Sequence, residues 1–213
     1  MRDTRTFLPF IVAMCAVVAA SNWLVQFPVR ATFGGIDLAD ILTWGAFTYP
    51  AAFLVTDLTN RRFGPAAARG VVVAGFVLAV VLSVWLASPR IAVASGSAFL
   101  VAQMLDVAVF EKLRRQAWWK APLVSSLFGS VIDTVLFFGI AFSARMAFID
   151  AGFGMEDSSL AFPVPFLGIG VEVPLWVSLA AGDFCVKILV AVVLLAPYRV
   201  LRAFIADRSA VPA

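Results

Sequence analysis

Residues 173–196 read VPLWVSLAAGDFCVKILVAVVLLA, an apolar run long enough to cross a bilayer that carries Asp183 and Lys187 in its middle. About 20 apolar residues span the hydrocarbon as a helix, and a charge at the centre costs about 2.5 to 3.5 kcal/mol on an insertion scale. On a helix Trp176, Ala180, Asp183 and Lys187 fall on one face. Asp183 and Lys187 are thus placed to pair. Such a pair either neutralises itself inside a bundle or serves a functional site.

Five further runs of this kind lie upstream, at roughly 7–27, 41–59, 66–87, 91–111 and 121–148. Of the 213 residues 62% are hydrophobic and 14% charged, and the mean hydropathy is +0.99. That composition excludes an ordinary soluble domain. The expected fold is an all-α membrane protein of six transmembrane helices, a single integral membrane domain over residues 1–213. Gly and Pro punctuate the boundaries, with Pro50 expected to bend the second span. The first span resembles a secretory signal, but its apolar part continues through Trp23, Leu24 and Val25, so it reads as retained. The loop 149–172, with Phe162, Phe166 and Leu167 among Gly and Pro, reads as interfacial or re-entrant.

Lys and Arg concentrate on cytoplasmic loops. Arg2 and Arg5, then Arg61, Arg62 and Arg69, then Lys112, Arg114, Arg115 and Lys120, and finally Arg199, Arg202 and Arg208 fall on one set of segments. The opposite set holds Arg30, Arg90 and Arg145 beside Asp37, Asp40, Asp150, Glu156 and Asp157. Both termini are therefore expected in the cytoplasm. The net charge of +3 follows from this pattern, and basic residues without aromatic interleaving argue against direct nucleic-acid binding. With no histidine and only Cys15 and Cys185, both inside predicted spans, no metal site, disulfide framework or cofactor is expected, and both thiols read as small core residues.

The remaining buried polar groups set the candidate site. Gln103 and Asp133 lie about 18 Å along their helices, Asp183 about 15 Å and Lys187 about 21 Å, all near mid-membrane. Ser126, Gly129, Ser130, Asp133 and Phe137 share a face on which small residues admit a close neighbour or leave a cavity. Asp133 has no cation one turn away on its own helix, so it is the candidate to titrate. Gln103 and Asp106 share a face; Asp106 either belongs to the cavity or contacts Lys112, Arg114 or Arg115. Asp57 precedes Arg61 by one turn, which suggests a pair that fixes a loop or gate. Asn22, Gln26, Thr48 and Tyr49 supply hydrogen bonds, while Trp44 suits either stacking or an interfacial belt. Carboxylates, carboxamides and aromatics in one cavity suit a neutral planar heterocycle.

The strings SNWLVQ at 21–26, TWGAF at 43–47, TDLTNRRFG at 56–64, RIA at 90–92, QMLDV at 103–107, WWKAP at 118–122, and DT at 133–134 with FF at 137–138 resemble the queuosine-precursor transporter family. The resemblance runs from about residue 21 to 200. It implies a six-helix bacterial inner-membrane importer of 7-deazaguanines, in cyano and aminomethyl forms, arranged like the substrate-binding subunits of vitamin importers. A homodimer is left open. Asn22, Trp44, Phe47, Gln103, Asp106, Asp133, Asp183 and Lys187 are the expected substrate-binding residues, with the base stacked on Trp44 or Phe47 and Lys187 tuning its neighbouring carboxylate.

The chain lacks a G-x-x-x-x-G-K-[ST] loop, so energy comes from an ion gradient, a partner, or the substrate gradient itself. An alternative is a binding subunit for a separate ATP-driven module, for which Ala16 and Ala20 offer a small-residue helix face. An intramembrane enzyme is disfavoured by the missing His and nucleophile–base pairs, and a purely structural role by the buried charges.

Overall fold

The computed structural model describes residues 4–207, with side chains from Phe7 to Ile205. Arg2 and Arg208 of the charge pattern, and the side chain of Arg5, lie outside the described residues. The chain is mostly helical: α1 (Thr4–Leu24), α2 (Trp44–Thr48), α3 (Ala51–Phe63), α4 (Pro65–Leu86), α5 (Pro89–Leu113), α6 (Lys120–Phe142), α7 (Ala147–Gly152) and α8 (Leu175–Asp207). Two small antiparallel hairpins fill the loops, β1 (Thr32–Phe33) with β2 (Ile36–Asp37), and β3 (Pro163–Pro165) with β4 (Glu172–Pro174).

Among the described residues five helices, α1, α4, α5, α6 and α8, are long and apolar enough to cross a membrane. The run expected as one span at 41–59 is instead the broken pair α2–α3. Pro50 breaks it: lacking an N–H and fixed near its preferred φ, it becomes the N-terminal cap of α3 at φ −62°. The polarity of α3 has a physical reason. It is packed by α1, α4, α5, α6 and α8, so its Thr56, Asp57, Thr59 and Asn60 are buried against protein and not lipid. Gly64, at φ +87°, makes the tight joint to α4 in a conformation that β-carbon-bearing residues avoid.

Met14 and Val18 of α1, Ala52 and Val55 of α3, Val71 and Val72 of α4, and Phe99 of α5 form the main apolar core. Gly129 of α6 faces α3, where a β-carbon would stand 2.6 Å from the Phe53 ring. The small residues expected to admit a neighbour or a cavity admit Phe53 at this level. The cysteines depart from expectation, since Cys15 is half-buried and Cys185 is exposed on α8.

At the hairpin end of the bundle Arg90 is completely buried. Its guanidinium donates to Ile140 O (2.8 Å), Asp150 Oδ2 (2.8 Å), Ser159 Oγ (3.1 Å), Asp157 Oδ1 (3.3 Å) and the Ser143 carbonyl. One side chain thereby ties the start of α5 to the end of α6, to α7 and to the following loop. Burial alone raises the Asp150 carboxyl pKa. The Ser158 N–H, Arg90 and the Ser158 hydroxyl outweigh it and hold the group below the ordinary carboxylate value. The Ser159 hydroxyl and N–H do the same for Asp157. The loop expected to be interfacial or re-entrant thus begins with α7 and a stretch held by the buried Arg90, and continues into the β3–β4 hairpin.

Candidate functional site

The break between α2 and α3 aims Tyr49 into the bundle. Its hydroxyl donates to Asp133 Oδ1 of α6 at 3.2 Å, and its ring packs edge-on against Phe99 with centroids 6.0 Å apart. The other oxygen, Asp133 Oδ2, accepts from Lys187 Nζ of α8 at 2.6 Å. Lys187 also pairs with Asp183 one turn away and donates to Thr134 Oγ1 at 3.2 Å. Thr134 in turn donates to Asp183 Oδ2 at 3.1 Å. All three N–H bonds of the ammonium are thus used.

This network joins α2, α6 and α8 at one level. The expected Asp183–Lys187 pair is present. Asp133 has no cation one turn away on its own helix, and the cation reaches it from another helix, a relation that intrahelical spacing does not reveal. Two carboxylates and one ammonium leave the layer one negative charge in excess when ionised. The charges are unevenly covered, with side-chain exposure of 4% for Lys187 and 5% for Asp133 but 14% for Asp183. Asp183 is the least covered member of the layer.

Around this layer the other expected residues separate. Phe47 packs in an apolar cluster with Val186 and Val190 of α8, Val186 being the residue before Lys187 in the chain. Trp44 is 49% exposed and tilts against Phe47 at 5.7 Å between centroids. Asn22 is not part of the layer, because its amide donates to Val18 O of its own helix at 2.9 Å. Gln103 accepts from Thr56 of α3 at 2.7 Å, and its amide nitrogen meets no acceptor among the described residues.

One residue further along α3, Asp57 accepts from Ser125 of α6 at 3.3 Å and lies beside Asp106 of α5. Asp106 makes none of the ion pairs with Lys112, Arg114 or Arg115 that its spacing allows; it is completely buried on the side of α5 that faces α3, where Thr56 bonds to Gln103 and Asn60 to the Val107 carbonyl. Arg61 forms no salt bridge with Asp57. Its guanidinium donates to the Tyr198 hydroxyl of α8 at 3.1 Å and to the Arg114 carbonyl, and lies over the Phe110 ring.

Between the two levels a cavity is lined by Pro50, Phe53 and Asp57 of the α3 region, Ser126 and Ser130 of α6, and Tyr198 of α8 among others. It leaves about 10 Å³ for the centre of a water molecule, room for about one water. Among the described residues no group of metal-ligating side chains is assembled. Thr134, Thr56 and Ser125 complete these contacts, yet hydroxyls in apolar runs carry no signal that separates them from ordinary core positions. Ala16 and Ala20 are both exposed on α1.

The family described as "Putative vitamin uptake transporter" matches residues 43–201. An Escherichia coli (strain K12) protein named queuosine precursor transporter is 35% identical over 216 residues, covering 91% of this chain and 85% of its own length. A Haemophilus influenzae protein named probable queuosine precursor transporter is 34% identical, over 74% of this chain and 83% of its own. One of the same name from Bacillus subtilis is 28% identical over 61% and 64%. No solved structure matches the chain significantly. A bundle of membrane-length helices around an intramembrane ionic layer, together with a family match over most of its length, makes this chain a member of the vitamin uptake transporter family: a multi-pass membrane transporter, not an enzyme.

Proposed function

We propose that this transporter imports queuosine precursors, 7-deazaguanines in cyano or aminomethyl form, across a bacterial inner membrane. The named relatives support the substrate class. The observation that carries the recognition chemistry is the excess negative charge of the Asp133–Lys187–Asp183 layer, with Asp183 its most accessible member. A guanine-type edge presents an N–H and an exocyclic amine side by side. Two parallel donors of that kind match one carboxylate.

Asp183 accepts this edge in our reading, while Asp133 and Lys187 hold Asp183 in place and Phe47 offers an aromatic face nearby. The cavity below the layer has room for about one water, so a bicyclic base reaches the layer from the Asp183 side. Asn22, Gln103 and Asp106 drop out of the contact set, and Trp44 stands at its outer margin.

Topology belongs to the same reading. The α2–α3 pair, from Trp44 to Phe63, would cover about 30 Å with its two helices end to end, about the length of one crossing. Counted with the five long helices this gives six crossings with both termini on one side, and the Arg-rich end with Arg61, Arg62, Arg114 and Arg199 supports assigning that side to the cytoplasm.

Binding of cyano- and aminomethyl-deazaguanine to the purified protein, with guanine and biotin as competitors, tests the proposal. Saturable deazaguanine binding that Asp183→Asn weakens at least tenfold is the expected result. Preferential binding of biotin, or unchanged affinity in Asp183→Asn, overturns the substrate or the contact respectively.

A further inference from the structure

We propose that Asp57 and Asp106 hold one shared proton between them, and that this proton is the ion carried with the substrate. The second half rests on the transport reading above; the first half rests on the burial and placement of the two carboxyls.

Asp57 is 1% exposed and Asp106 completely buried. They come from different helices, α3 and α5, which are held in register on either side of the pair by Thr56 donating to Gln103 at 2.7 Å and Asn60 donating to the Val107 carbonyl at 3.1 Å, and the Ser125 hydroxyl of α6 donates to Asp57 at 3.3 Å. Among the described residues neither oxygen of Asp106 makes a hydrogen bond of acceptable geometry, although both are out of contact with solvent. Two carboxylates so placed do not both stay ionised, because like charges in a low-dielectric site repel too strongly. A proton on one of them supplies the donor that the other lacks.

The groups facing the pair limit the alternatives. Those that interact electrostatically with Asp57 are Asp106 from α5, Arg61 from its own helix and Tyr198 from α8. Arg61 offsets one negative charge from a distance while its hydrogen bonds go to Tyr198 and Arg114. The second charge needs a proton. A metal cation fits less well, since two carboxylates and one hydroxyl fall short of the six to eight oxygens that a hard ion such as calcium collects.

Placement connects the pair to the substrate layer. Asp57 lines the cavity that also touches Ser130, three residues along α6 from Asp133. Thr56 and Gln103, which bond to each other, sit one and three residues from the two carboxyls. Tyr49, which bonds to Asp133 of the ionic layer, joins directly through Pro50 to α3, the helix that carries Asp57, so a movement of α3 at one level is felt at the other. The proton is taken up from the side of higher proton activity and released to the other, with no other chemical change.

The test uses the full chain in proteoliposomes. Infrared spectroscopy of the wild type near neutral pH should show a protonated-carboxyl C=O stretch that is lost in Asp57→Asn and in Asp106→Asn. A labelled deazaguanine should accumulate when a pH gradient is imposed across the wild-type vesicles. Both variants should bind it within a few-fold of wild-type affinity yet lose accumulation, retaining only equilibration.

A wild type without the carboxyl band overturns the shared proton. Variants that still accumulate substrate in response to a pH gradient, or accumulation driven by a sodium gradient alone, overturn its role in coupling. If the wild type binds no deazaguanine, the proposed substrate fails, and the infrared band still decides the proton site.

Discussion

Lys187 of α8 donates to Asp133 of α6 at 2.6 Å while pairing with Asp183 on its own helix, so one ammonium serves two carboxylates contributed by two helices. In a buried site the cost of removing one partner exceeds the net worth of the pair, because an uncompensated charge is left behind.

Lys187→Met should therefore lower stability by about 3–5 kcal/mol and abolish uptake. Adding Asp133→Asn to Lys187→Met should recover part of that stability without restoring uptake. Thermal unfolding in detergent, followed beside a transport assay, checks both.

Tyr49→Phe removes the hydroxyl bound to Asp133 but keeps the ring against Phe99. A hydrogen bond to a charged group is worth about 1.5–3 kcal/mol, so a loss of that size is expected on thermal unfolding. Loss of one Asp133 anchor should also weaken substrate binding, read as a raised Kd.

Gly129→Leu drives a side chain into Phe53, whose ring already occupies the space of a β-carbon. Overpacking of this kind costs about 1–3 kcal/mol. Phe53→Ala in the same chain should relieve much of it, which thermal unfolding of the two variants and their combination measures.

Arg90 and Asp150 supply a pH prediction. The folded Asp150 carboxyl is held below its ordinary value of 3.8, so the folded state favours the ionised form. Its contribution to stability is full above that ordinary value and is lost as pH falls through it toward the lower folded value. Wild type should lose more thermal stability than Asp150→Asn when the pH is lowered from about 6 to about 3, the range around an ordinary aspartate.

Much of the bundle was legible in the sequence because lipid-facing helices must be apolar: α1, α4, α5, α6 and α8 each announce themselves by hydropathy. The α2–α3 pair was legible only as a run, not as a break, because α3 faces protein and escapes the rule that hydropathy measures. Pro50 was read as a bend and proved to be the cap that separates two helices. At the site, the Asp183–Lys187 contact follows from i,i+4 spacing, whereas Lys187–Asp133, Tyr49–Asp133 and Asp57–Asp106 bridge different helices. Spacing along one helix carries no information about such pairs. Arg90 shows the same limit, since its partners Asp150, Asp157 and Ser159 all follow more than a helix later in the chain.

The burial of α3 among five neighbours also bears on how the protein is made. A segment that exposes Thr, Asp and Asn along its length has little affinity for hydrocarbon and is a poor substrate for insertion by itself. It emerges from the ribosome after α1 and before every other helix that will cover it. Its burial site is complete only once α4, α5, α6 and α8 have arrived to enclose it. Its final seating is a late assembly event, and the same helix carries Asp57.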